Sequence, residues 1–241
     1  MAAAIWLPYC GVAPAPAELW ARWNLDPVLL LTLMLALAAF WRWGRADAVA
    51  RRRFAAALAI LVLLFVSPFC ALTSALFAAR VTHHILLTAL VAPLLAAAWP
   101  ARVSGGVVLW AGLHAVVFWV WHAPPVYGWA LSSDTAYWLM QLSLLGSAFA
   151  LWSAIRTAPV PGAIAALLGT MVQMGLLGAL ITFAPIPLYA PHLFTTTAWG
   201  LSPLDDQQLA GLIMWAPGAA VYLAAALLLL SRWFSHEQAT A

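Results

Sequence analysis

Histidine is the residue type in this sequence with the most chemistry to offer. Imidazole nitrogen is a ligand for copper, zinc, iron and nickel. The spacing of the histidines matches neither an H-x-x-x-H nor an H-E-x-x-H signature, so a metal site requires a fold that brings distant histidines together. The six positions are His83, His84, His114, His122, His192 and His236.

Sulfur is the second source of ligands. Cys10 and Cys70 are the two cysteines, and soft thiolate and thioether ligands select Cu(I). The same pair could equally form a disulfide in an oxidising compartment, and both interpretations stay open here. Met174 and Met214 are further candidate ligands, although methionine inside a helical bundle commonly fills gaps in the core.

The composition indicates which kind of molecule must position these side chains. The chain has 241 residues, of which 66% are hydrophobic, with 10 arginines, no lysine and 7 acidic residues. Its mean hydropathy is +0.97. A soluble domain carries about 25% charged residues, so these values exclude an ordinary globular enzyme, a disordered chain and a nucleic-acid-binding domain. No GxGxxG, P-loop or nucleophile–base set is present, so we expect neither catalysis nor nucleotide binding.

Apolar runs bounded by charge, proline or glycine predict an all-α polytopic membrane protein with seven transmembrane helices. We expect an extracytoplasmic N-terminal segment over 1–27, a seven-helix membrane domain over 28–232 and a short cytoplasmic tail over 233–241. The predicted spans are 28–43, 54–72, 82–99, 105–121, 135–155, 162–183 and 207–230.

The arginines predict the orientation. Eight of the ten fall in or beside the first, third and fifth connectors or after the last span, whereas Arg22 and Arg80 fall on the opposite side. Positive charge accumulates on the cytoplasmic side of membrane proteins, so we expect the N-terminus outside and the C-terminus in the cytoplasm. The predicted location is the bacterial inner membrane, crossed several times.

The predicted topology places four histidines at one surface of the membrane. His83, His84, His122 and His192 all fall at the outer side of the predicted bundle, and they are the candidate copper ligands. His114 lies about 12 Å deeper than His122 on the same helix, and we add it, with Cys10, Cys70, Met174 and Met214, as a secondary candidate. Because His83 and His84 are about 100° apart on a helix, we expect one of the two to face inward.

Four motifs in order carry a resemblance to a known family. They are Asn24-Leu-Asp-Pro27, the segment from Ser74 to Leu95, His122-Ala-Pro-Pro-Val-Tyr127 and the segment from Asp206 to Trp215. Together they resemble the CtaG family of cytochrome c oxidase assembly factors, which are seven-span inner-membrane proteins. The resemblance implies a role in maturing a haem–copper oxidase, with copper supply on the outer side and oxidase subunits or other assembly factors as partners.

One departure and three alternatives accompany that resemblance. Tyr137, Trp138 and Gln141 occupy a region of the fifth span where the family often carries histidine. A scaffold that holds an oxidase subunit without metal is the first alternative, and a b-type haem protein with axial histidines is the second. The third, a transporter, lacks the membrane-embedded charges that ion coupling usually needs. We expect no nucleic acid and no nucleotide among the partners.

Overall fold

The computed structural model describes residues 6–43, 47–99 and 101–240, and the side chains of 237, 239 and 240 lie outside that description. It is all-helical, with no β-strand among these residues. The α-helices are α1 (Pro27–Trp43), α2 (Ala48–Phe65), α3 (Phe69–Ala75), α4 (Phe77–Ile85), α5 (Ala92–Ala98), α6 (Val107–His122), α7 (Pro124–Ala130), α8 (Asp134–Ile155), α9 (Val160–Phe183), α10 (Pro203–Ile213) and α11 (Ala219–Thr240).

Four of the predicted spans coincide with continuous helices long and apolar enough to cross a membrane: Phe77–Ala98, Asp134–Ile155, Val160–Phe183 and Pro203–His236. The number rises to six when α2 with α3 (bent by 46°) and α6 with α7 (bent by 78°) each count as one span. The first predicted span is α1, which is shorter, at 17 residues. The all-helical class is therefore confirmed, with four to six helices suited by length and composition to cross a membrane, while seven crossings stay a prediction.

Proline and side-chain caps explain where several helices begin. Pro124 opens α7, and the residue before it adopts an extended conformation (φ −69°, ψ 126°) because proline disfavours the α region there. Ser202 and Asp205 form a capping box at the start of α10. The last span contains Pro217 inside a π-helical turn, Met214–Gly218, a common way for a helix to absorb the missing N–H of a proline.

The α4–α5 helix lies at the centre of the bundle, where α2, α8 and α10 pack against it. A second π-helical turn, Leu86–Val91, joins its two halves. Helices α6, α9 and α11 extend the bundle through contacts with α8, α9 and α10. By contrast, α1 is peripheral, since Leu29 and Phe40 are its two buried residues.

The junction between α3 and α4 is a polar break inside this apolar bundle. Leu76 is extended there (φ −124°, ψ 130°), which interrupts the helical hydrogen bonding. The Ala75 carbonyl accepts hydrogen bonds from Thr195 Oγ1 (2.6 Å) and His192 Nδ1 (3.3 Å). The connector between α9 and α10 therefore docks onto the end of α3.

Asp206 of α10 completes the junction from the other side. Its carboxylate accepts hydrogen bonds from the Phe77 and Ala78 amides, at 2.7 and 3.1 Å. These are the first N–H groups of α4, which have no partner within their own helix. Asp206 is thus the N-terminal cap of a helix more than 120 residues earlier in the chain.

The N-terminal segment is tied to the same end of the bundle. Cys10 and Cys70 form a disulfide across 60 residues, which decides between the two interpretations of the cysteines. Tyr9 donates a hydrogen bond to Asp26 (2.6 Å) and stacks on Tyr137. Oxidised sulfur is not a thiolate, so the predicted ligand role of Cys10 and Cys70 does not hold for this form of the protein.

We expect Asp206→Ala to destabilise the protein strongly. The variant leaves two buried N–H groups without an acceptor, at a cost of about 1–3 kcal/mol each. Asp206→Asn retains one acceptor oxygen and should cost less. Thermal unfolding in detergent measures the difference.

The matched control is Asp205→Ala, at the neighbouring exposed position. It removes the α10 capping box, which is worth about 1 kcal/mol. If Asp206→Ala were no more destabilising than Asp205→Ala, the cap would not hold the α3–α4 junction together.

Candidate functional site

A buried polar cluster lies directly beyond the α3–α4 junction. Helix α4 contributes three of its members on neighbouring turns, because residues three and four apart share a helix face. Helices α6, α7 and α8 and the connector before α10 each contribute one more. All are buried, with at most 2% of their surface exposed. We call this set the Arg80 cluster, and its members are Arg80, His83, His84, His122, Tyr127, Tyr137 and His192.

His84 and His122 form the closest histidine pair. His84 Nδ1 lies 3.3 Å from His122 Nε2, and the two rings are nearly perpendicular, at 89°. His122 Nδ1 lies 2.6 Å from the Phe118 carbonyl, and a carbonyl can only accept, so that nitrogen carries the proton. In the neutral rings His84 Nδ1 then donates to His122 Nε2. His84 Nε2 retains a lone pair with no hydrogen bond to a described residue.

The separation of the two nitrogens is also compatible with a shared metal ion. Two nitrogens bound to one tetrahedral metal at about 2.0 Å are separated by about 3.3 Å, which is the distance that separates His84 Nδ1 from His122 Nε2. Binding there would require His84 to move its proton to Nε2. Within the described part of the chain, no three His, Cys, Asp or Glu side chains form a group able to hold a metal. The structure therefore brings together two of the four candidate ligands.

His192 lies in the cluster but has other partners. Its Nε2 lies 2.7 Å from the Tyr127 hydroxyl, and its Nδ1 faces the Ala75 carbonyl. Because the carbonyl fixes the proton on Nδ1, Tyr127 donates to Nε2. Burial lowers the pKa of His192 from 6.5 to about 3, and the nearby Arg80 charge adds to this effect against the Ala75 hydrogen bond. The ring is neutral and both nitrogens are engaged, so His192 joins α3 to α7.

His83 is buried beside His84, with the two ring centroids 5.8 Å apart. Its ring packs edge-on against Phe65, with ring centroids 4.8 Å apart, and neither ring nitrogen has a hydrogen-bond partner among the described residues. The expectation that one of the two adjacent histidines faces inward is therefore wrong. Both are fully buried, because α4 lies at the centre of the bundle and several elements pack around it.

The secondary candidates lie away from the histidine pair. His114 Nδ1 is 2.9 Å from Ser147 Oγ, two turns deeper than His122 along α6. Met174 and Met214 are fully buried in the main apolar core, and Met174 packs beside Ile85 and Gly218. These contacts are those of core residues, and a ligand role for them stays a prediction.

The position of Arg80 in the structure differs from its predicted position. The prediction places it in an outer connector, but α4 begins at Phe77, so Arg80 lies inside the helix and is fully buried. None of its three guanidinium nitrogens has a hydrogen-bond partner within 3.5 Å among the described residues, although the Tyr127 and Tyr137 hydroxyls interact with the guanidinium at longer range. No carboxylate of a described residue lies within 4.0 Å of it. The guanidinium lies over the Tyr137 ring, 5.2 Å from its centroid, a cation–π contact.

A sequence signal for Arg80 did exist. It lies four residues before His84, so a helix starting slightly earlier places both on one face. Its fixed positive charge makes any cation in the cluster less stable. The charge therefore lowers the affinity of the histidine pair for a metal ion.

We expect acid to destabilise the protein partly through His192. Its pKa is about 3 when folded and near 6.5 when unfolded, so between these pH values the unfolded chain binds the additional proton. The contribution of neutral His192 to the free energy of unfolding is complete above about pH 6.5 and is lost as the pH drops toward 3. His192→Asn keeps an amide donor for the Ala75 carbonyl but cannot titrate, so its melting temperature should fall less between pH 7 and pH 4 than that of the unmodified protein. His236→Asn, in the exposed tail, is the control, and parallel curves for His192→Asn and the unmodified protein would contradict the assignment.

Comparison with known proteins identifies one matching family. The family model of the cytochrome c oxidase caa3 assembly factors, Caa3_CtaG, matches residues 106–236, which is more than half of the chain. This stretch includes His122, Tyr127, His192 and Asp206, but not α4. No curated protein and no solved structure matches the chain. The chain belongs to the Caa3_CtaG family of cytochrome c oxidase assembly factors.

Proposed function

We propose that this assembly factor binds copper at the His84–His122 pair and passes it toward a haem–copper oxidase. The observation that carries the proposal is the 3.3 Å separation of two buried imidazole nitrogens contributed by different helices. The family supplies the connection with oxidase assembly. Buried imidazoles that are neutral can bind a metal without first losing a proton to solvent.

The electrostatics favour a monovalent ion that is held weakly. Arg80 repels a cation in proportion to the charge of the ion, so Cu(I) is disfavoured less than a divalent metal. Two protein ligands and a nearby guanidinium give lower affinity than a closed site with four ligands. Lower affinity suits a protein that passes its metal on. Copper is thus the cargo of the proposed function.

We further propose seven membrane crossings with the Arg80 cluster on the outer side of the bacterial inner membrane. The arginine distribution supports this orientation. The Cys10–Cys70 disulfide supports it independently, since disulfides persist in oxidising compartments. Helix α1, at 17 residues, is at the lower limit of the roughly 17–25 residues that a spanning helix needs.

We expect His84→Asn and His122→Gln to weaken Cu(I) binding by more than about 100-fold each, since even outer-shell substitutions cost 10–100-fold. In His84→Asn the new side-chain amide can still donate toward His122, so the fold should survive. Competition with a chromophoric Cu(I) chelator, on the full chain in detergent, measures the affinity. His114→Asn is the matched control, because His114 is equally buried but bonds Ser147, and it should bind like the unmodified protein. Unchanged binding by the double variant would contradict the copper site.

A scaffold that holds an oxidase subunit without metal is the second candidate. It is favoured because no third His, Cys, Asp or Glu side chain among the described residues is placed to complete a metal site with the pair. The same variants separate the two functions when a strain lacking the gene is complemented with them. A copper relay requires that His84→Asn fail to restore oxidase activity, whereas a scaffold requires full restoration. A b-type haem is less suitable, because the two rings are in contact and leave no space for a porphyrin between them.

We expect reporter fusions after Arg102, Arg156 and Arg232 to report the cytoplasm, and fusions near Trp129 and Thr196 to report the outer side. Cys10 and Cys70 should resist alkylation in whole cells until a reductant is added. A cytoplasmic signal at Thr196, which lies in the same connector as His192, would contradict delivery of copper on the outer side.

A further inference from the structure

An elongated apolar groove separates α1 from the rest of the bundle. Its volume is about 460 Å³, within the 300–1,000 Å³ typical of ligand pockets. Along α2 it extends from Phe65 to Phe54, which corresponds to about 16 Å of helix. We call it the α1 groove, and its lining includes Tyr9, Asp26, Leu33, Leu61, Trp138 and Gln141.

The groove exists because α1 is attached mainly at its two ends. At one end Tyr9 donates its hydrogen bond to Asp26, directly before α1. At the other end Phe40 stacks on Phe54 of α2, with ring centroids 4.0 Å apart. The middle of α1 has no buried residue between Leu29 and Phe40. An apolar molecule can therefore lie lengthwise between α1 and the bundle.

Gln141 gives the groove a polar group below its mouth. This α8 residue lines the groove and is 2% exposed. Neither amide atom of its side chain has a hydrogen-bond partner among the described residues. A buried amide without a partner is costly in an apolar environment. A ligand that supplies a hydrogen-bond acceptor at this depth would remove part of that cost.

Asp26 gives the mouth of the groove a negative charge. It is the one charged side chain among the described lining residues. Hydrogen bonds from the Tyr9 hydroxyl and from backbone amides lower the pKa of Asp26 below its ordinary value, so the carboxylate is ionised at neutral pH. A carboxylate at this position attracts a cationic head group and repels a purely anionic one.

The order of these groups along the groove identifies the class of ligand. Trp138 contacts Tyr9 at the mouth, with ring centroids 5.1 Å apart. Gln141 lies three residues further along α8, or about 4.5 Å deeper. From the mouth inward the groove thus offers a negative charge, a hydrogen-bond donor and an apolar channel.

We propose that the α1 groove binds one phospholipid with an ammonium head group, of the phosphatidylethanolamine type. The ammonium lies at Asp26, an ester carbonyl accepts a hydrogen bond from Gln141 Nε2, and one acyl chain fills the channel beside Leu33 and Leu61. The lipid closes the gap between α1 and the bundle. This site is independent of the proposed copper pair.

Native mass spectrometry of the delipidated full chain in detergent tests the proposal, with phosphatidylethanolamine and phosphatidylglycerol of identical acyl chains as probes. We expect one bound phosphatidylethanolamine, held about five-fold more tightly than phosphatidylglycerol, as one partly exposed ion pair would give. Asp26→Asn should abolish this preference, and Gln141→Leu should weaken both lipids. Asp134→Asn, at an exposed acidic residue outside the groove, is the matched control and should keep the preference.

A groove-filling variant provides a second test, because Asp26→Asn also weakens the bond to Tyr9. Ala36→Trp places a large ring in the channel without removing a polar group, and it should reduce lipid binding to the level of non-specific attachment. Equal affinity for the two lipids in the unmodified protein would overturn the proposal. So would unchanged binding in Ala36→Trp, or the extraction of a different apolar molecule that Ala36→Trp excludes.

Discussion

The closure of the α3–α4 break is the interaction on which the polar end of this protein depends. A helix interruption within an apolar bundle exposes backbone groups that neither lipid nor core side chains can satisfy. Here Asp206 accepts from the first two amides of α4, while His192 and Thr195 donate to the last carbonyl of α3. These bonds fix the residue at which α4 begins. They thereby place Arg80 and His84 inside the bundle.

The charge distribution of the Arg80 cluster follows from the residue at which α4 begins. Arg80 is a buried cation two residues after Ala78, whose amide donates to the Asp206 carboxylate. The negative charge of Asp206, contributed by α10, therefore lies at the N-terminus of the helix that carries the guanidinium. The surrounding imidazoles contribute nitrogens that form hydrogen bonds. His192, which lies in the connector before α10, stays uncharged. In the proposed copper relay, a metal ion in this environment would meet two imidazole ligands and the repelling positive charge of Arg80. Weak binding and ready transfer are the behaviour that such an arrangement favours.

The segment that precedes α1 connects the two proposed sites without merging them. Tyr9 stacks on Tyr137, which lies beneath the Arg80 guanidinium, and also donates to Asp26 at the mouth of the α1 groove. The Cys10–Cys70 disulfide holds this segment in place. A bound lipid would thus support the position of α1, whereas the histidine pair is built entirely from α4 and α6.

The sequence by itself determined the helical membrane class, the approximate position of each apolar segment and the family, because hydropathy and ordered motifs are local properties. It also identified His84 and His122 as candidate ligands. It could not determine the break at Leu76, since that break is stabilised by Asp206 from more than 120 residues away. Only the tertiary structure decided that Arg80 is buried, that the cysteines pair and that His192 bonds Tyr127. Each of these features depends on which groups, distant in sequence, come together inside a bundle whose interior excludes water.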